Sequence, residues 1–234
     1  MLFSFLILIL TTFLLIELNH YFRIKSPLII KPKEYKKYIL DTKQKYISII
    51  EISNKHTKME VMIPFFKVNP QLIGISQDDL ISINTTIKPL HPDEKEQQNN
   101  YWYAYILKSK KSTLVKIEIE FEIKNSAIDK LKCLWLDIEW GNYGPFGFFS
   151  RYEGFVLPNY QITTQDKSST NNLVEPIKTH MLGTLDDPIS VLKSYIPNDC
   201  LPTDIIAIGE SPLAIMQGAY LDYRSINVSS IARL

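Results

Sequence analysis

The run from Val115 to Ile123 leaves this chain the least freedom. Val115, Ile117, Ile119, Phe121 and Ile123 alternate without a break with Lys116, Glu118, Glu120 and Glu122. A strand sends successive side chains to opposite faces, so it alone puts every apolar residue of this run on one side and every charge on the other. One face is core and one is wet. Leu134 to Trp140 repeats the pattern, with Leu134, Leu136, Ile138 and Trp140 on one side and Trp135, Asp137 and Glu139 on the other. Tyr46 to Ile52, Met59 to Ile63 and Leu80 to Ile87 are further β-rich runs, the first two joined across the polar Ser53 to Lys58 by a hairpin-like connection. The segment Pro89 to Asn100 is too polar to bury and reads as an exposed loop. Short strands, turn-rich connections and little helical periodicity predict an antiparallel β-sandwich-like domain over residues 45–160.

Three features of this region invite a site assignment, and each has a plainer reading. Asp137 and Glu139 lie two apart on one strand face, a spacing that suits paired carboxylates, but a strand's solvent face has the same look. His56 and His91 sit in polar segments with no ligand partner nearby in sequence and read as solvated. The run Gly141 to Phe149 mixes glycines and aromatics; no GK[ST] follows it, so it is no phosphate loop, and packing across the sandwich end accounts for its rings.

The chain opens with Leu2 to Ile16, which carries no charged side chain and extends through Phe22 as a helix of about 20 residues, enough to span a bilayer. Residues 1–22 therefore read as a transmembrane anchor. A cleaved signal peptide is the rival, but no Lys or Arg precedes the apolar run and no small-residue cleavage site follows it. Arg23, Lys25, Lys31, Lys33, Lys36 and Lys37 follow against the single acid Glu34, which makes residues 23–44 a basic juxtamembrane linker and orients the rest of the chain to the cytosolic or stromal side. Over the whole chain, 45% hydrophobic content and a net charge of +1 describe a folded protein rather than a disordered one, with nothing basic enough to imply nucleic acid. Cys133 and Cys200 fall in different expected domains and form no disulfide framework.

Residues 161–175 are polar, without apolar period, and read as an interdomain linker. The C-terminal part, residues 176–234, has another grammar. In LDDP, Asp187 stands as a helix N-cap with Pro188 at the first helical position; Ile189, Leu192 and Ile196 share a face and Pro197 ends the helix. Ile205-Ile206-Ala207-Ile208 has the continuous apolar character of a strand buried on both faces. Ser211 then caps a second helix with Pro212 first in it and Gly218 just beyond its end at Gln217. The order helix, buried strand, helix is that of a partial α/β module. The expected fold class is thus α+β: an N-terminal transmembrane helix, an antiparallel β-sandwich-like domain, then that module.

The motifs THM, LDDP, DIIAI, GES and MQG, in this order between Thr179 and Gly218, resemble the start of the gamma-glutamyl ligases that add glutamate to the deazaflavin coenzyme F-420. The membrane-anchored relatives of cyanobacteria and algal plastids are the most similar, and resemblance to them reaches back through the middle of the chain. It implies binding of GTP with magnesium or manganese, with Thr179, His180, Glu210 and Ser211 at the positions that meet the nucleotide. A lysine of the family's short helix falls at Ile215, and its metal-binding carboxylates belong to segments later than Leu234, so the module resembles a C-terminally shortened ligase. By residue type alone, capping accounts for Asp186 and Asp187 better than metal binding does. Two functions follow as expectations. One is a single-pass, membrane-anchored, non-catalytic adaptor or scaffold, attached through residues 2–22, with a protein partner or a second copy and no cofactor. The alternative is a GTP- or ATP-dependent amide-forming glutamate ligase.

Overall fold

The computed structural model describes residues 2–21, 26–40, 43–92, 102–144, 147–159, 176–197, 200, 201, 203–226, 228, 229 and 232. A helix, α1 (Leu2–Tyr21), precedes nine strands: β1 (Leu28–Leu40), β2 (Lys43–Asn54), β3 (Val61–Ile63), β4 (Phe66–Ile73), β5 (Leu80–Leu90), β6 (Tyr105–Leu107), β7 (Ser112–Ile123), β8 (Cys133–Gly144) and β9 (Gly147–Pro158). Two short helices follow, α2 (Pro188–Tyr195) and α3 (Glu210–Met216). The fold is mostly antiparallel β-sheet with few helices. Strands β1, β2, β7 and β5 form one sheet in that order. In the second, β9 runs along the whole of β8, whose other edge pairs with β4 from Cys133 to Trp140 and with β3 at Tyr143, while β6 lies beyond β3.

The two alternating runs supply the facing layers. Val115, Ile117, Ile119, Phe121 and Ile123 of β7 are all buried, as are Leu134, Leu136, Ile138 and Trp140 of β8. Burial of that apolar area, at about 25 cal/mol per Å², is the main favourable term. Tyr46 of β2 stacks on Phe121 with ring centroids 5.8 Å apart. Outside, Glu118 meets Lys45 at 2.9 Å, Lys116 at 2.7 Å and Lys88 at 3.6 Å, a cross-strand charge ladder from three strands.

Several expectations are corrected. Residues 28–40 are not part of a linker but strand β1, paired with β2 from Leu28↔Asn54 to Leu40↔Lys43. Leu28 and Ile30 face the core, while the lysines beside them and Pro32, next to an irregularity in the register, suit an outermost strand that must not pair further. Ser53 to Lys58 closes no hairpin; it carries the chain from the first sheet to the second, held by Asn54, whose Nδ2 donates to the carbonyls of Met59 (2.8 Å) and Leu107 (3.1 Å). Pro89 and Leu90 end β5, and His91 is 5% exposed rather than solvated: its ring stacks on Tyr105 at 3.7 Å and its Nδ1 lies 2.8 Å from Thr113 Oγ1. His56 is half-buried, its Nδ1 accepting from the backbone N–H groups of Lys58 and Met59. At the β8–β9 turn Phe148 packs against Phe65 at 6.2 Å, yet Tyr143 and Phe148 both remain exposed. The residues expected as interdomain linker, 161–175, lie outside the described residues.

The C-terminal part departs most from expectation. Helix α2 begins as read, with Asp187 accepting from Ser190 N–H at 2.8 Å and Pro188 first in the helix, but it buries no residue. Ile205 to Ile208 form no strand and are exposed, Ile205 to 94%. Apolar character is not sufficient for a strand, which needs a neighbouring edge to satisfy its N–H and C=O groups. Among the described residues this part contains no strand. Helix α3 is capped by Gly209 rather than Ser211. It ends as read: Gly218 takes φ +67°, its N–H bonds the Ile215 carbonyl at 3.0 Å and Ala219 N–H bonds that of Ala214 at 2.8 Å, a Schellman closure. Among the described residues no helix is long and apolar enough to cross a membrane; the described large side chains of α1, among them Phe5, Leu8, Leu10 and Leu15, are exposed.

Candidate binding cleft

Strand β9 positions a carboxyl in an unusual setting. Phe155 and Leu157 on β9 belong to the core, and by the period of two Glu153 lies on their side of the sheet, opposite Ile138 of β8. It does not reach the closed interior. There β1 and β9, the outer strands of the two sheets, leave a cleft of about 320 Å³ whose far wall is the chain leaving α3. Leu28, Ile30, Trp140, Phe155 and Met216 give it apolar walls, and Lys31, Glu153, Thr184, Gln217 and Tyr220 line it with polar groups. Burial, with the Asp222 carboxylate adding to it, pushes the Glu153 carboxyl up to about 7. Burial and then the Glu153 charge push the Tyr220 hydroxyl up to about 12. That hydroxyl donates to the Gly154 carbonyl at 2.7 Å.

The C-terminal part is strapped across the opposite face of β8 and β9. Arg224 reaches both Asp137 and Asp222, and Ser225 exchanges two hydrogen bonds with the Tyr152 backbone at 2.9 Å. Asp137 and Glu139 are thereby accounted for as structural partners, Glu139 lying 3.8 Å from Lys67. Trp135 covers Gly154 so closely that a Cβ there would fall 2.0 Å from the indole.

The four residues expected to meet a nucleotide lie in two places. Thr179 is exposed, its hydroxyl donating to the His180 carbonyl at 3.0 Å. The His180 side chain is 2% exposed: Nε2 lies 3.1 Å from Asp186 Oδ1, and Nδ1 lies 2.7 Å from the Tyr195 hydroxyl, which also accepts from the His180 backbone N–H. Asp186 in turn accepts from Gly183 N–H at 2.7 Å. This network ties the approach to α2 onto the helix's last residue. Glu210 and Ser211 are exposed in the first turn of α3. Sequence reasoning missed Glu153, Trp140 and Tyr220. The available signal was parity, since an acid two positions before Phe155 and four before Leu157 belongs to an inward-facing series.

Among curated proteins none matches this chain in sequence. Solved structures of low similarity include the GAE domain of yeast GGA1 (15% identity, 58% of this chain and 96% of that chain, TM-score 0.33) and the GAE domain of GGA2p from Saccharomyces cerevisiae (13%, 59% and 96%, 0.31). The N-terminal domain of PorA is a third (10%, 55% and 96%, 0.32). Overlap of this size carries no argument. The family comparison is decisive: the profile described as F420-0:gamma-glutamyl ligase, N-terminal Ig-like domain, matches residues 30–161, more than half of the chain. The match begins inside β1 and takes in every later strand, so it falls on the sandwich rather than on residues 176–234, whose motifs carried the resemblance to the defined ligases. With its two antiparallel sheets and that match, the chain belongs to the family of the N-terminal Ig-like domain of F420-0:gamma-glutamyl ligase.

Proposed function

We propose that this chain is a non-catalytic, membrane-attached member of its ligase family, in which the Ig-like sandwich acts as a scaffold that holds residues 176–226 in place. The carrying observation is the His180 network. A histidine that would meet nucleotide is instead closed between Asp186 and Tyr195, with both ring nitrogens engaged inside the protein. Glu210, at the other expected contact, carries a negative charge that opposes phosphate. Attachment to a membrane, with the sandwich on its cytosolic or stromal side, is supported by the exposed apolar side chains of α1, which lipid would cover. A plastid or cyanobacterial setting rests on the resemblance to anchored relatives alone.

The second reading is favoured by the family match: a GTP- or ATP-dependent gamma-glutamyl ligase using magnesium or manganese, with Thr179, His180, Glu210 and Ser211 at the nucleotide. One thermal-shift series on the full chain in detergent separates the two. A ligand at about 100 times its dissociation constant stabilises the folded state by about 2.7 kcal/mol. The scaffold reading expects no change with GTP or ATP in the presence of either metal. A saturable, metal-dependent rise in melting temperature that is lost in His180→Ala would establish the ligase reading instead.

A further inference from the structure

We propose that the cleft between β1 and β9 is a binding site for a small amine with an apolar body. Two features of its wall point to such a ligand: an unpaired carboxyl and an aromatic and aliphatic lining. Glu153 is an inward-facing carboxyl with no ion pair or hydrogen bond among the described residues, whereas the neighbouring acids Asp137, Glu139 and Asp222 are all paired. Trp140 is 4% exposed and lends the cleft part of its ring. The rest of the wall is mixed, with Leu28, Ile30, Phe155 and Met216 apolar and Lys31, Thr184 and Gln217 polar, and about 320 Å³ lies at the lower end of the roughly 300–1,000 Å³ typical of small-molecule sites. An ammonium answers the carboxyl, and a compact apolar body fills the space beside Leu28, Phe155 and Met216. An aromatic ring and a carboxylate in one pocket are a recurrent means of holding an amine.

The charged and titratable groups around Glu153 are Lys31 of β1, Arg151 on β9 itself, and Tyr220, Asp222 and Arg224 from the C-terminal part. The ammonium pairs with the ionised carboxylate, so a protonated Glu153 must release its proton on binding, and affinity rises with pH through neutrality.

The test uses the full chain in a nonionic detergent, with phenethylamine as probe and 2-phenylethanol and 3-phenylpropionate as neutral and anionic controls. The readout is the Trp140 indole N–H resonance, assigned by Trp140→Phe. Phenethylamine is expected to shift it saturably, with apparent affinity rising about tenfold between pH 6 and pH 8, and the controls are expected to bind at least tenfold more weakly. Glu153→Gln, checked for a cooperative melt, is expected to lose amine binding and its pH dependence; Glu153→Asp, the second variant, should retain weakened binding. No shift with the amine, equal shifts with the alcohol, or unchanged binding in a folded Glu153→Gln protein would each overturn the assignment.

Discussion

At the scale of single residues, two glutamates on different sheets are driven in opposite directions. Glu118, held first by Lys116 and then by Lys45, is pulled down to about 2, so its contribution is present above the ordinary glutamate range and lost as pH falls toward 2. Glu153 is pushed up to about 7, which reverses the sign. From about pH 4.5 to pH 7 the unfolded chain ionises this group while the folded chain keeps it protonated, so folding loses stability as pH rises through that window. Glu153→Gln removes the penalty. Thermal melts should therefore show the variant more stable than wild type by about 1–2 kcal/mol at pH 8, with no difference at pH 4, the figure discounted for the group's partial exposure. A constant difference across the range would mean that Glu153 is ionised throughout. Its inward placement was legible from its parity with Phe155 and Leu157. Its burial was not, because the covering residues Met216 and Tyr220 come from far along the chain.

At the scale of elements, strand faces and helix ends were the most readable features. The alternation in β7 and β8 names the buried residues correctly, and Asp187 and Gly218 mark an N-cap and a Schellman end where they stand. Pairing was less readable. A lysine-rich stretch such as Lys31 to Lys37 looks the same in a solvated linker and in an outer strand, and only the free edge of β2 distinguishes them. The junction of β9 with the C-terminal part depends on a missing side chain. Trp135 lies over Gly154, on the face where Gly183 meets Val156. Gly154→Ala should displace the indole and cost on the order of 1–3 kcal/mol, measured by denaturant unfolding. Amide exchange should quicken first around Tyr152 and Ser225, where the strap is bonded to β9. Unchanged stability would show that Trp135 swings away freely.

At the scale of the whole molecule, the sandwich holds the core and α1 presents a continuous run of exposed apolar side chains. The sandwich packs its core between its own two sheets, and the described side chains of α1 lie almost wholly outside it. A chain lacking residues 2–21 should stay in the supernatant and melt within about 2 °C of the full chain, while the full chain should sediment with lipid vesicles. A full chain that stays in the supernatant would overturn the proposed membrane attachment.

What the sequence determined by itself is whatever nearest neighbours decide: which side of a strand is apolar, where a helix can begin and where glycine can end one. Those choices are made within a few residues by side-chain parity, fixed φ angles and local hydrogen bonds. Only the tertiary structure decided that residues 28–40 complete a sheet, that His91 and His180 are enclosed, and that Ile205 to Ile208 remain exposed without a strand partner. Each of those outcomes depends on an edge or a covering side chain brought from a distant part of the chain, and local pattern carries no record of whether that partner arrives.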